Sequence, residues 1–143
     1  MTDDAASDAS DAPDGPRHHR HYTLEQAMAV RGWVADRVGW VREAQARLMA
    51  MGSAATDAID ALDPDSGGAY PGRDVARGLV EISRAVGELE AVDIVLRDVD
   101  RGLIDFPAMR DGVEVYLCWL VDDEESIGFW HEPEAGFAGR RPL

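Results

Sequence analysis

The sequence predicts an α+β domain in which a long antiparallel helical hairpin precedes a small antiparallel sheet of three to four strands. Three observations carry this. Two long segments place apolar residues at helical spacing, and the turn-rich Pro64-Asp65-Ser66-Gly67-Gly68 separates them. After Leu89 the apolar period shortens to two, the period of a strand. At 143 residues the chain suffices for one domain and is short for two.

Residues 1–16 hold five Asp, no basic residue and little that is large and apolar. Such a segment cannot bury enough surface to offset its ordering entropy, so a disordered acidic tail is expected over residues 1–21, with a His-rich end at Arg17-His18-His19-Arg20-His21. Three close His could chelate a metal. The plainer reading is a solvated junction between tail and helix.

The ordered domain is expected over 22–143. Thr23 with Gln26 has capping-box form, and Glu25 complements the positive end of a helix dipole. Ala27, Val34, Val41 and Leu48 recur every seven residues, and Val30, Ala44 and Met51 follow the same spacing with Arg37 as the polar interruption. That is a coiled-coil-like stripe over a first helix and extension spanning 22–62, widened by Trp33, Val38 and Trp40. A second helix is expected over 74–92, capped by Asp74, with Val75, Leu79, Ile82, Val86 and Leu89 along one face. Burying several branched side chains at about 1.5–3 kcal/mol apiece makes the hairpin credible.

The sheet and a C-terminal extended segment fill 93–143. Ile94 and Leu96 mark a first strand, and Leu103–Phe106 a second that Pro107 stops. Asp111-Gly112 signals a tight hairpin turn into a third strand, Val113–Leu120, with Val113, Val115, Leu117 and Trp119 on one face. A fourth strand runs over Ile127–Glu132, and residues 133–143 are expected as an extended tail laid across the domain.

Composition excludes several classes. The formal net charge is -14 and every basic residue is Arg, a bias that fits a GC-rich bacterial genome. Such charge disfavours nucleic acid and anionic membranes as partners. No apolar run approaches the roughly 20 residues of a membrane span. The N-terminus lacks a secretory pattern, and the single Cys118 fits a reducing cytoplasm.

From Asp98 onward the motifs form a long ordered series. It comprises Asp98-Val99-Asp100-Arg101-Gly102-Leu103-Ile104-Asp105-Phe106-Pro107, then Arg110-Asp111-Gly112, Tyr116-Leu117-Cys118-Trp119 and Phe129-Trp130-His131. Gly136-Phe137-Ala138-Gly139-Arg140-Arg141-Pro142-Leu143 closes it. With Tyr22-Thr23-Leu24-Glu25-Gln26-Ala27, it resembles the bacterial family known as domain of unknown function 2203, over residues 22–143. The chain departs by lacking an aromatic after Tyr22 and by carrying Glu90-Ala91-Val92 where Leu-Gly is usual. The resemblance implies a fold and no reaction.

A hairpin joining the third and fourth strands with Leu120 opposite Ile127 sets Cys118 against Phe129 and Tyr116 against His131. Cys118 and His131 then share a face as two donors for zinc or iron, with Glu132, Asp105 or the His-rich end as a third. The competing reading is a half-buried Cys and a hydrogen-bonded structural His, since only one Cys and one ordered His are available. Nucleophilic catalysis by Cys118 would need His131 within hydrogen-bond reach and an orienting third group.

Arg101, Asp105 and Arg140 read as an anion-recognition group or, more simply, as an ion pair of Asp105 with Arg101 or Arg140. Tyr116, Trp119, Trp130 and Phe137 could line a small-molecule pocket, although aromatics in a small sheet commonly form core. No catalytic set is complete. The sequence therefore ranks a non-enzymatic interaction module first, a homodimer or partner complex through the hairpin, ahead of a metal- or small-ligand-binding protein.

Overall fold

The computed structural model describes residues 15–60 and 72–143, the side chains of 55–60 excepted. The acidic residues 1–14 and the turn-rich residues 61–71 lie outside the described residues. Among the described residues the architecture is α+β, three α-helices and one five-stranded antiparallel sheet in the order β1-β2-β3-β4-β5.

The first helix, α1, spans Leu24–Ala29 and begins at the expected capping box. The Thr23 Oγ1 accepts from the Gln26 amide at 3.1 Å, and the Gln26 carbonyl Oε1 accepts from the Thr23 amide at 3.0 Å. The single long helix expected here is broken at Val30, whose backbone leaves helical geometry at φ -98 and ψ 3. From there α2 runs over Arg31–Asp60.

The α3 helix, Gly72–Glu90, packs antiparallel to α2. Arg37 pairs with Glu88 and Arg47 with Glu81, so residue numbers rise on one helix as they fall on the other. The contact line on α3 differs from the expected stripe. Gly78, Ala85 and Leu89 are buried while Leu79 is 55% exposed. A Cβ at Gly78 would sit 2.9 Å from the Leu48 side chain, so the helices meet through a small residue, and Leu79 is rotated outward. On α2, Val38 is buried in the core, whereas Trp40 is half-exposed. The Arg37 guanidinium lies 3.7 Å from the Trp33 ring and 4.8 Å from the Trp40 ring. The polar interruption of the stripe is thus a cation–π platform at its margin.

At the end of α3 Asp93 takes the left-handed conformation (φ 63) that Gly usually supplies, and the Ile94 amide turns back to the Leu89 carbonyl. Then β1 (Val95–Asp98), β2 (Leu103–Arg110) and β3 (Val113–Leu120) form a meander. The β2–β3 turn is the expected one, with Asp111 at φ 52 and Gly112 at φ 79. Two short strands follow, β4 (Phe129–His131) and β5 (Arg141–Pro142). The C-terminal segment, expected as an extended tail, instead holds a 3-10 turn at Phe137–Gly139 and ends in this short fifth strand.

Pro107 does not stop β2, which continues three residues beyond it. The Pro107 carbonyl accepts from the Tyr22 amide at 2.7 Å, so the polar edge of Pro107 points away from β3. Its missing N–H falls on the side where β1 has already ended, and no ladder bond is lost.

One face of the sheet carries Ile104, Phe106, Val115, Leu117 and Trp119. These pack with Tyr22, Ala27, Val34, Val38, Leu89 and Ile94 into the main core. The opposite face is also buried, although among the described residues no α-helix covers it: Phe129 and Phe137 pack there against Leu103, Cys118 and Leu120. Arg17 and His18 donate their amides to Glu114, Arg20 donates its amide to Asp93, and His18 meets the Tyr116 hydroxyl at 2.7 Å. Residues 17–21, expected as the solvated end of a disordered tail, are an arm fastened across the sheet.

Candidate metal centre

The far face of the sheet gathers three donor side chains from three adjacent strands. Asp105 on β2 lies opposite Cys118 on β3, and His131 on β4 lies opposite Tyr116, diagonal to Cys118. The register across β3 and β4 is the one the sequence suggests. Because the polar edge of Pro107 faces away from β3, that of Asp105, two residues earlier, does too. Asp105 and Cys118 therefore form a narrow, non-hydrogen-bonded pair, in which side chains come closest. The carboxylate oxygen, thiol sulfur and imidazole nitrogen all lie within 4.8 Å of one another. Asp105 and His131 are each 2% exposed and Cys118 is fully buried.

Every buried side-chain nitrogen and oxygen among the described residues has a partner. The Arg97 Nε–H donates to Asp105 Oδ2 at 2.9 Å, and Asp105 Oδ1 faces His131 Nε2 at 3.0 Å. His131 Nδ1 lies 2.7 Å from the Glu132 carbonyl, which can only accept, so Nδ1 carries hydrogen. Nε2 is then the nitrogen that faces Asp105, and it is the ring atom that would serve a metal as ligand. A carbonyl that fixes the ring through its other nitrogen is the usual outer-shell support of a metal-bound His.

Burial, and then the Asp105 charge, push the Cys118 thiol up to about 11, so at neutral pH it is a protonated thiol and a poor nucleophile. Burial opposes the charge on Arg97, yet the hydrogen bond and charge of Asp105 outweigh it and raise the Arg97 pKa. Arg140 is raised in the same way by Glu124, which it meets at 2.7 Å, with a further hydrogen bond to Cys118.

The other residues singled out from sequence are distributed around this centre. Glu132 is exposed and contributes its carbonyl, not its carboxylate; Asp105 is the third donor. Asp105 pairs with Arg97 and His131, whereas Arg101 stacks at 4.1 Å on Phe137 and Arg140 pairs with Glu124. Tyr116 lines the centre, its ring 5.4 Å from His131 and beneath the Arg97 guanidinium at 5.0 Å. Trp119 is core on the helix-facing side, its indole N–H donating to the Glu124 carbonyl. Trp130 also lies on that side, opposite Leu117. His18 reaches Tyr116 and Asp93, not Cys118.

Sequence reasoning missed Arg97 and Glu114. Arg97 sits where the β1–β2 register shifts between Leu96 and Asp98, an irregularity that alternation alone does not reveal. A signal did exist for Asp105, because pairing counted outward from the Asp111-Gly112 turn puts it opposite Cys118.

Comparison with known proteins adds a family and no chemistry. The model of an uncharacterized conserved protein family, DUF2203, matches residues 20–143. The chain belongs to the DUF2203 family. No curated protein and no solved structure matches this DUF2203 chain. Among its described residues no helix is long and apolar enough to cross a membrane.

Proposed function

We propose that this protein is a non-enzymatic metal-binding protein that holds one transition-metal ion at Asp105, Cys118 and His131. The convergence of three buried donors within 4.8 Å carries this reading. A thiolate, an imidazole and a carboxylate form a borderline-soft set that suits zinc best and ferrous iron second. The ion is held by His131 Nε2 and the Asp105 carboxylate and takes the place of the thiol proton of Cys118. Donors only 0–2% exposed leave no approach for a substrate, so the ion would join β2, β3 and β4 and take no part in turnover. The lone thiol, a ligand only while reduced, favours the bacterial cytoplasm as the setting.

The test is elemental analysis of protein equilibrated with zinc, followed by cobalt substitution. One equivalent of metal per chain is expected, with a thiolate-to-cobalt absorption band that Cys118→Ala removes and a proton release on loading. Wild-type protein that takes up no metal, and melts identically with zinc and with chelator, would reduce the centre to a buried ion-pair network.

A second reading, self-association of two copies, is favoured by the exposure of Leu79 (55%) and Val80 (60%) on α3 and by the place of β1 at the edge of the sheet. Antiparallel β1–β1 pairing about a two-fold axis would bring the α3 flanks of two copies together. Sedimentation should then give a dimer that Leu79→Glu dissociates; a wild-type monomer throughout the micromolar range removes this reading.

A further inference from the structure

The helix-facing side of the sheet ends in a second polar feature, remote in kind from the buried donors. Arg110, the last residue of β2, and Arg141, on β5, both stack on the Trp130 indole, their guanidinium carbons 4.4 and 5.4 Å from the ring. Trp130 is the middle residue of β4, paired with Leu117 on one side and Arg141 on the other, so the platform is fixed by the sheet. Both arginines are exposed, and among the described residues neither side chain makes an ion pair or a hydrogen bond. Arg140 is the contrast, since it stacks on Phe129 and Phe137 but has its charge met by Glu124.

Beside the platform lies a cavity of about 250 Å³, with Tyr22 and Leu24 on one wall, Ala108, Val115 and Leu117 on its floor, and Arg110 and Trp130 at its margin. We propose that this cavity binds a small organic anion, its apolar ring or short chain on the floor and its carboxylate or phosphate on Arg110 at the margin. Three properties point there. The cavity suits one ring or a short chain and is below the usual range for larger ligands. Arg110 lines the cavity and Arg141 stacks on the same indole, and among the described residues no carboxylate meets either guanidinium, so an anion there finds an uncompensated charge. Stacking pre-orients their planar forks, which match carboxylate and phosphate oxygens bidentately. The net charge of -14 repels polyanions and directs the site toward a small ligand.

Calorimetric titration of the full chain with phenyl phosphate, phenylacetate, inorganic phosphate and benzyl alcohol tests this. Phenyl phosphate or phenylacetate should bind, and the tighter of the two identifies the headgroup. Inorganic phosphate and benzyl alcohol, each lacking one half of the ligand, should bind about tenfold or more weakly; Arg110→Ala should lose a similar factor and Arg141→Ala less. Both arginines are exposed, so these variants should fold, and Arg110→Lys separates loss of the fork from loss of charge. Cys118→Ala should leave the affinity unchanged, which keeps this site distinct from the metal centre. Benzyl alcohol binding as tightly as the anions, equal binding by the double arginine variant, or no binding of either aromatic anion at millimolar concentration would overturn the proposal.

Discussion

The two faces of this sheet are built from alternate residues of the same strands, both are buried, and only one of them adds buried charge to its apolar packing. On the helix side Ile104 and Phe106 are fully buried among apolar neighbours. On the far side Asp105, between them in sequence, is 2% exposed and fixed by an arginine and a histidine. The first face is stabilised by area removed from water; the second combines a smaller apolar cluster of Leu103, Cys118, Leu120, Phe129 and Phe137 with matched charge and hydrogen bonds around Asp105. Burial alone therefore does not report what kind of interior a strand has.

Adjacent substitutions on β2 separate the two most sharply. Phe106→Ala should cost about 3–5 kcal/mol in urea unfolding, because it leaves a cavity in a packed core, and the loss should be indifferent to salt and to pH between 6 and 8 (roughly neutral). Asp105→Ala should cost about 3 kcal/mol, at the lower end for breaking a buried pair because Arg97 can return to water while His131 cannot. If Asp105→Ala proved neutral, the far face would be held by apolar contact after all, and the contrast would fail.

A smaller effect follows from Cys118, whose pKa rises on folding from 9.0 to about 11. A raised acid favours the folded state fully below its unfolded value and loses that contribution as pH climbs through the folded one. Stability of the metal-free protein should therefore decline between pH 9.0 and about 11, with thiolate absorbance appearing over the upper part of that window, and Cys118→Ala should flatten the decline. Phe106→Ala should leave its shape unchanged.

The smallest effect concerns the arm. Burial opposes ionisation of Glu114, but the hydrogen bond from His21 and the amides of Arg17 and His18 outweigh it and lower the pKa below 4.5. Asp93 is lowered below 3.8 in the same sense by the Arg20 amide and His18, again against its burial. Carboxylates lowered on folding stabilise at pH above their unfolded values and lose that contribution as pH falls through the folded ones. Amide exchange at Arg17 and His18 should accelerate on acidification below 4.5 while exchange on β3 does not, and Glu114→Gln should remove that transition. Concerted release of arm and sheet would mean the arm is no separate fastening.

Much of this was legible from local pattern. The capping box at Thr23, the tight turn at Asp111-Gly112, the antiparallel helices and the shared face of Cys118 and His131 rest on interactions within a few residues or on the period of a strand. The misreadings at Leu79, Pro107 and Arg97 have one origin. Each depends on what a neighbouring element does, namely how closely Gly78 lets α2 approach, where β1 ends, and where its register slips.

The chain alone settled the capping box, the β2–β3 turn and which side chains of β3 and β4 share a face, because turn chemistry and backbone period act over short sequence distances. It could not settle what lies over each face. The arm that covers Tyr116, the arginine that meets Asp105 and the wall that turns Trp130 into the margin of a cavity come from segments distant in sequence. Their positions are chosen by packing, which no single segment encodes.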